Sequence, residues 1–119
     1  MIQTTGNIGE KGELLATKWL TEKGFFIVRQ NLKIGRSEID IVALKNGEIH
    51  FIAIKTHNGN GPGFPAENFG KKKLENLRSA ACIYLMDHPE MKEIVFDILS
   101  IVLNEGKPDE YVLLEDLSS

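Results

Sequence analysis

With 119 residues, 42% of them hydrophobic and 26% charged, the chain has the length and composition of one globular domain that buries a core without metal or disulfide support. No apolar run approaches the roughly 20 residues of a membrane-spanning helix, the N-terminal MIQTTGNIGEKGE lacks a signal-peptide core, and one cysteine, Cys82, leaves no disulfide framework. The formal charge is −3, but residues 1–86 hold 12 Lys and Arg against 8 Asp and Glu, while residues 87–119 hold 2 against 9. The acid is concentrated near the C-terminus, so a basic face elsewhere permits a nucleic-acid partner without arguing for one. A reducing cytoplasm and no membrane association are expected, with Cys82, inside SAACIYLM, a small core residue.

In chain order, residues 8–23 are expected to form a helix with Leu15, Ala16, Trp19 and Leu20 on one stripe, ended by Gly24. FFIVRQN is expected as a strand, and SEIDIVALKNGEIHFIAIK as a β-hairpin about Asn46-Gly47, the dipeptide suited to a type I′ turn. Asn58 to Pro65 is a Gly-rich loop. Residues 66–87 carry Leu74, Leu77, Ala81, Tyr84 and Leu85 at helical spacing and stop near His88-Pro89. EIVFDILSIVL, a GKPDE turn and YVLLE complete an α-β-β-β-α-β-β order, an α/β class with a mixed sheet flanked by helices.

A two-residue turn at Asn46-Gly47 sets Lys45 opposite Glu48, and continuing the register pairs Ile41 with Ile52 and Ile39 with Ile54 on one apolar face. On the other face Leu44 meets Ile49 and Val42 meets Phe51. Further from the turn, that face turns polar: Asp40 falls opposite Ala53, and Glu38 opposite Lys55. Opposed side chains have Cβ atoms roughly 4.5–5.5 Å apart, so an acid at position 53 would share one divalent cation with Asp40. Lys55 would then hold or polarise a water or an anionic group. The plainer alternative is a cross-strand Glu38–Lys55 ion pair with Asp40 in solvent. Glu13, at the rim of the first helix's inward stripe, is either a third acid aimed at the sheet or a solvated or capping side chain.

The ordered pieces Gly9-x-x-Gly12-Glu13-x-x-Ala16, Gly24-Phe25, Arg29-Gln30-Asn31, Ser37-Glu38-Ile39-Asp40-Ile41 and Phe51-Ile52-Ala53-Ile54-Lys55-Thr56 resemble the bacterial YraN-like family of endonuclease-like proteins. More distantly, they resemble archaeal Holliday-junction resolvases, and both groups belong to the PD-(D/E)-x-K, restriction-endonuclease-like superfamily. The resemblance runs from about Ile8 to Leu85, with FDILSIV similar to the family's last core strand. It implies a restriction-endonuclease-like core, phosphodiester hydrolysis on DNA, Mg²⁺ or Mn²⁺ held by Glu13, Asp40 and a glutamate at position 53, and Lys55 as the catalytic lysine. Paired cuts across a junction would suggest a homodimer, though no segment here demands one.

Position 53 departs from that pattern. Where the family reads E-x-K, this chain reads Ala53-Ile54-Lys55. Ser37 and His57 also differ from the family's usual Gly and Arg, with smaller consequence. Losing a carboxylate that contacts the metal should cost at least the roughly 10–100-fold seen for more remote changes at metal sites. The alanine is a natural weakening, is compensated by Glu38 or by Glu67, or is an introduced change. The expected function is a metal-dependent DNA endonuclease, weak or inactive as written; a non-catalytic nucleic-acid or protein-interaction module on the same fold is the alternative.

Lys71, Lys72 and Lys73, with Arg78, Arg36 and His57, are candidate phosphate contacts, or else a solvated helix face. GNGPG lacks the G-x-x-x-x-G-K-[ST] pattern of a phosphate cradle and reads as a connector or substrate lid. His50, His57 and His88 lack metal-ligand spacing, and His50 is expected to be structural. No G-x-S-x-G elbow supports acyl-transfer chemistry.

Overall fold

The computed structural model describes residues 7–59, 71–91 and 93–117. Helix α1 spans Asn7–Glu22, followed by β1 (Phe26–Ile34), β2 (Ser37–Lys45), β3 (Glu48–Asn58), α2 (Lys71–Asp87), β4 (Ile94–Leu103) and β5 (Glu110–Leu114). This is the expected order. The strands form one five-stranded sheet in the sequence β1-β2-β3-β4-β5, with only β3 and β4 parallel. That parallel pair needs a crossover, and α2 lies within it.

α1 ends as its sequence dictates. Gly24 takes φ +98°, the Gly24 amide donates to the Thr21 carbonyl, and the Phe25 amide donates to the Leu20 carbonyl at 2.9 Å. This is a Schellman closure whose accompanying apolar contact joins Phe25 to Leu20 in the core. Phe25 is thus a helix-cap residue, and β1 begins one position later than expected and extends to Ile34. Asn46 at φ 54° and Gly47 at φ 79° form the expected I′-type hairpin turn.

Each sheet face carries its own core. Ala16 and Leu20 of α1 pack with Phe25, Ile41, Ala43, Ile52, Leu99 and Ile101. On the opposite face Leu77, Ala80, Ala81 and Tyr84 of α2 pack with Ile39, Val42, Ile49, Phe51 and Phe96. Nine of the ten β4 residues are buried, which is why that strand reads as a continuous apolar run.

Two expectations fail. Cys82 is exposed: Ala80, Ala81 and Tyr84 define the inward side of α2, and each helical residue advances about 100°, which carries Cys82 past the core stripe. Ile39 does not share a face with Ile54. It packs in the α2-side core, whereas Ile41 and Ile54 pack on the α1 side, so simple alternation breaks at Asp40. The residues 60–70 that were to form most of the Gly-rich loop and the start of the second helix lie outside the described residues, and so does Glu67.

Candidate functional site

The break at Asp40 has a visible cause. The β2–β3 pairing runs from Lys45–Glu48 through Ala43–His50 to Ile41–Ile52. Hydrogen-bonded pairs alternate along such a ladder, so a regular continuation would join the Ile54 amide to Ile39. Instead the Ile54 N–H donates to the Asp40 carboxylate at 2.8 Å. A side chain has taken the place of a strand, and β2 parts from β3 at that point. β1 follows the same irregularity: pairing passes from Gln30–Ile41 to Leu32–Ile39, and the intervening Asn31 adopts φ 53°.

The parting leaves a hollow of about 10 Å³ bordered by Glu38, Ile39, Asp40, Phe51, Ile52, Ala53 and Leu77. That volume is at the lower limit for one water. Asp40 and Ala53 therefore border one hollow beside Leu77 of α2, although the β2–β3 pairing itself ends at Ile41–Ile52. Alongside opens a cleft of about 480 Å³ lined by Arg36, Ser37, Glu38, Asp40, Lys72, Asn76 and Leu77. The Ser37 hydroxyl donates to the Asn76 carbonyl at 3.1 Å, tying the β1–β2 turn to α2 and closing one wall. Two cations, Arg36 and Lys72, thus share a cleft with two carboxylates, Glu38 and Asp40.

Lys55 and His57 follow Ala53 at alternate positions of β3 and are half-buried; their β4 partners are Ser100 and Val102. Ser100 is 1% exposed, and its hydroxyl has no hydrogen-bond partner among the described residues. Glu13 is half-buried on α1, in line with Ala16 and Leu20, and borders neither hollow that Asp40 lines. Gly12 explains how α1 approaches: a Cβ there would overlap the Thr56 hydroxyl, so only glycine lets the helix lie against the far end of β3. Of the lysine run, Lys72 is exposed and reaches the cleft; the side chains of Lys71 and Lys73 lie outside the described residues. Arg78 is exposed on α2 and borders neither hollow.

Sequence reasoning missed a buried pair on the α1 face. His50 Nδ1 lies 2.6 Å from Asp97 Oδ2, with the Asp97 side chain wholly buried. Asp97 Oδ1 also accepts the Asp116 amide at 2.8 Å, and the Phe25 ring meets His50 edge-on. His50 is structural, as expected. The available signal was Asp97 itself, an acid inside an otherwise apolar strand, which requires a partner.

The donor set does not fit a resident Mg²⁺ or Mn²⁺. Such ions take several oxygen ligands, yet Asp40 commits one oxygen to the Ile54 amide and position 53 offers a methyl group. Among the described residues no three His, Cys, Asp or Glu side chains form a metal-holding group. None of the described helices is long and apolar enough to cross a membrane.

A mixed five-stranded sheet flanked by two helices is the architecture of a restriction-endonuclease-like core. Within that class the chain belongs to the YraN-like proteins: the uncharacterised protein family UPF0102 matches residues 12–101, which run from the α1–Thr56 contact to β4. A UPF0102 protein of Syntrophomonas wolfei is 37% identical over 101 residues, covering 84% of this chain and 88% of that relative. One from Chloroherpeton thalassium is 32% identical over 111 residues (92% and 86%), and one from Dictyoglomus thermophilum 35% over 100 residues (83% and 85%).

Proposed function

We propose that the chain engages DNA through the Arg36–Lys72 cleft as an endonuclease-type protein whose phosphodiester cleavage is weak or absent, because Ala53 stands where the family's metal-binding glutamate is expected. The observation that carries this reading is the shared hollow of Asp40 and Ala53 beside that cleft. A glutamate at position 53 would project from the same face as Asp40 and complete the pair of carboxylates that hydrolysis of this kind relies on. Lys55, two residues on, is the cation for the scissile phosphate. Arg36 and Lys72 supply backbone contacts without sequence preference. Glu13, on the α1 side of the sheet, borders neither hollow and is given no ligand role here; Lys71, Lys73 and His57 enter as candidate phosphate contacts by sequence alone. With alanine at position 53 no Mg²⁺ or Mn²⁺ is held by the described residues in this form; a carboxylate there would supply the missing ligand, and the partner is DNA.

The test is Ala53→Glu. Manganese binding is followed by calorimetry, and cleavage of branched, single-stranded and double-stranded DNA is measured for both forms. The expected result is a gain of about 10–100-fold in Mn²⁺-dependent cleavage. The reading is overturned if the alanine form already turns over at about 1 s⁻¹ or faster, an ordinary enzymatic rate. A second reading, a non-catalytic nucleic-acid-binding module, is favoured by the near-complete burial of Ala53 beneath Leu77. It takes over if Ala53→Glu binds DNA but neither manganese nor cleavage appears.

A further inference from the structure

On the α2 face, a second groove of about 480 Å³ runs between β1 and the C-terminal half of α2. It meets the Arg36–Lys72 cleft at the β1–β2 turn: Ile34 and Gly35 border the one, Arg36 and Ser37 the other. From Lys72 to Asp87, α2 advances about 22 Å at 1.5 Å per residue, so the two hollows, on either side of the Ser37–Asn76 contact, lie within the reach of one short strand. The second groove differs in character. Val28 and Ile83 leave apolar surface open in it, 38% and 45% exposed.

Its aromatic wall is fixed. The His88 ring stacks on Tyr84 at 4.0 Å between centroids and 13° between planes, and His88 Nδ1 lies 3.0 Å from the Tyr84 carbonyl. A carbonyl only accepts, so Nδ1 carries the proton and neutral His88 keeps Nε2 as an acceptor. Tyr84 in turn meets Phe51 edge-on within the core. Arg29 reaches the groove because β1 bulges between Ile27 and Arg29; without the bulge it would share Ile27's opposite face. Lys33 borders the groove too, and Asp87 is the one acid among its described lining residues.

We infer that this groove binds an unpaired nucleotide segment, with a base held against His88, Ile83 and Val28 and its phosphate on Arg29. A held aromatic plane and apolar floor beside cations suit single strands, whose base faces are free to stack; in a duplex those faces are covered by neighbouring pairs. The inference rests on the proposed DNA-binding role and names its substrate class: strands with a single-stranded portion leading from the cleft.

The test uses the full chain, fluorescein-labelled oligothymidylate and a blunt duplex of equal length, read by anisotropy across a salt series. His88→Ala is expected to weaken oligothymidylate binding about tenfold and leave the duplex unchanged, and His88→Phe should restore it, because stacking tolerates any aromatic plane. Arg29→Ala, an exposed position, should reduce the salt slope for the single strand by about one. If His88→Ala and Arg29→Ala leave oligothymidylate binding intact while Lys72→Glu weakens it, the groove inference is overturned and the cleft reading stands. If the groove variants weaken binding and Lys72→Glu does not, the groove stands and the cleft reading falls. Equal loss on both probes also overturns the groove inference.

Discussion

Asp97 spends both carboxylate oxygens on partners far away in sequence, His50 and the Asp116 amide. Removing one partner of a buried charged group leaves the other exposed to the full desolvation cost. His50→Ala is therefore expected to lower unfolding free energy by about 3 kcal/mol or more, read from the urea midpoint, whereas substitution of exposed His88 neighbours such as Met86 should lie within about 0.5 kcal/mol. At position 53 the side chain is small for another reason: Ala53 is 9% exposed and borders a hollow of about 10 Å³, which leaves room for little beyond a methyl group. Ala53→Glu therefore tests packing as well as chemistry, and its urea midpoint should be read beside its activity.

At the scale of elements, α1 is positioned by Gly12. Gly12→Ala pushes a methyl into the Thr56 hydroxyl, and the helix must lift from β3. A loss of about 1–3 kcal/mol is expected by thermal or urea unfolding, partly recovered when Thr56→Ala is added, a non-additivity that marks direct contact. The order of elements was legible because local chemistry punctuates it. Gly24 closes α1, Asn46-Gly47 fixes the hairpin, and α2's inward residues recur at helical spacing. The pairing from Lys45–Glu48 to Ile41–Ile52 was legible too, since the turn fixes the register. The swing of Ile39 to the other face was not, because the alternation SEIDIVAL continues unbroken through Asp40 in sequence, and only the carboxylate's capture of a backbone amide interrupts it. The His50–Asp97 pair shows the same limit: the lone acid in β4 is visible, its partner across the sheet is not. Cys82 was misplaced because an apolar stretch such as SAACIYLM conceals which of its residues the helix turns outward.

Across the whole molecule, aromatic residues join the helices to the sheet. Trp19 of α1 stacks on Tyr111 of β5 with centroids 5.5 Å apart, and Tyr84 of α2 packs on Phe51 of β3. Burial pushes both tyrosine hydroxyls above their usual value of 10.0; Glu90 adds to the effect at Tyr84, where Arg29 opposes it, and Asp109 and Glu22 add to it at Tyr111. Raised values mean that the folded chain keeps protons the unfolded chain releases. The contribution to stability is thus complete below pH 10 and declines as pH climbs through the raised values. The urea midpoint should fall more steeply in that alkaline window than in the Tyr84→Phe, Tyr111→Phe double variant.

Asp40 acts as a doorstop. Its oxygen holds the amide that a regular ribbon would join to Ile39, at the point where β3 leaves β2. Replacing it with alanine, the habitual way to silence a suspected nuclease, would free that amide as well as remove the acid. Silence in such a variant would therefore speak to architecture as much as to chemistry.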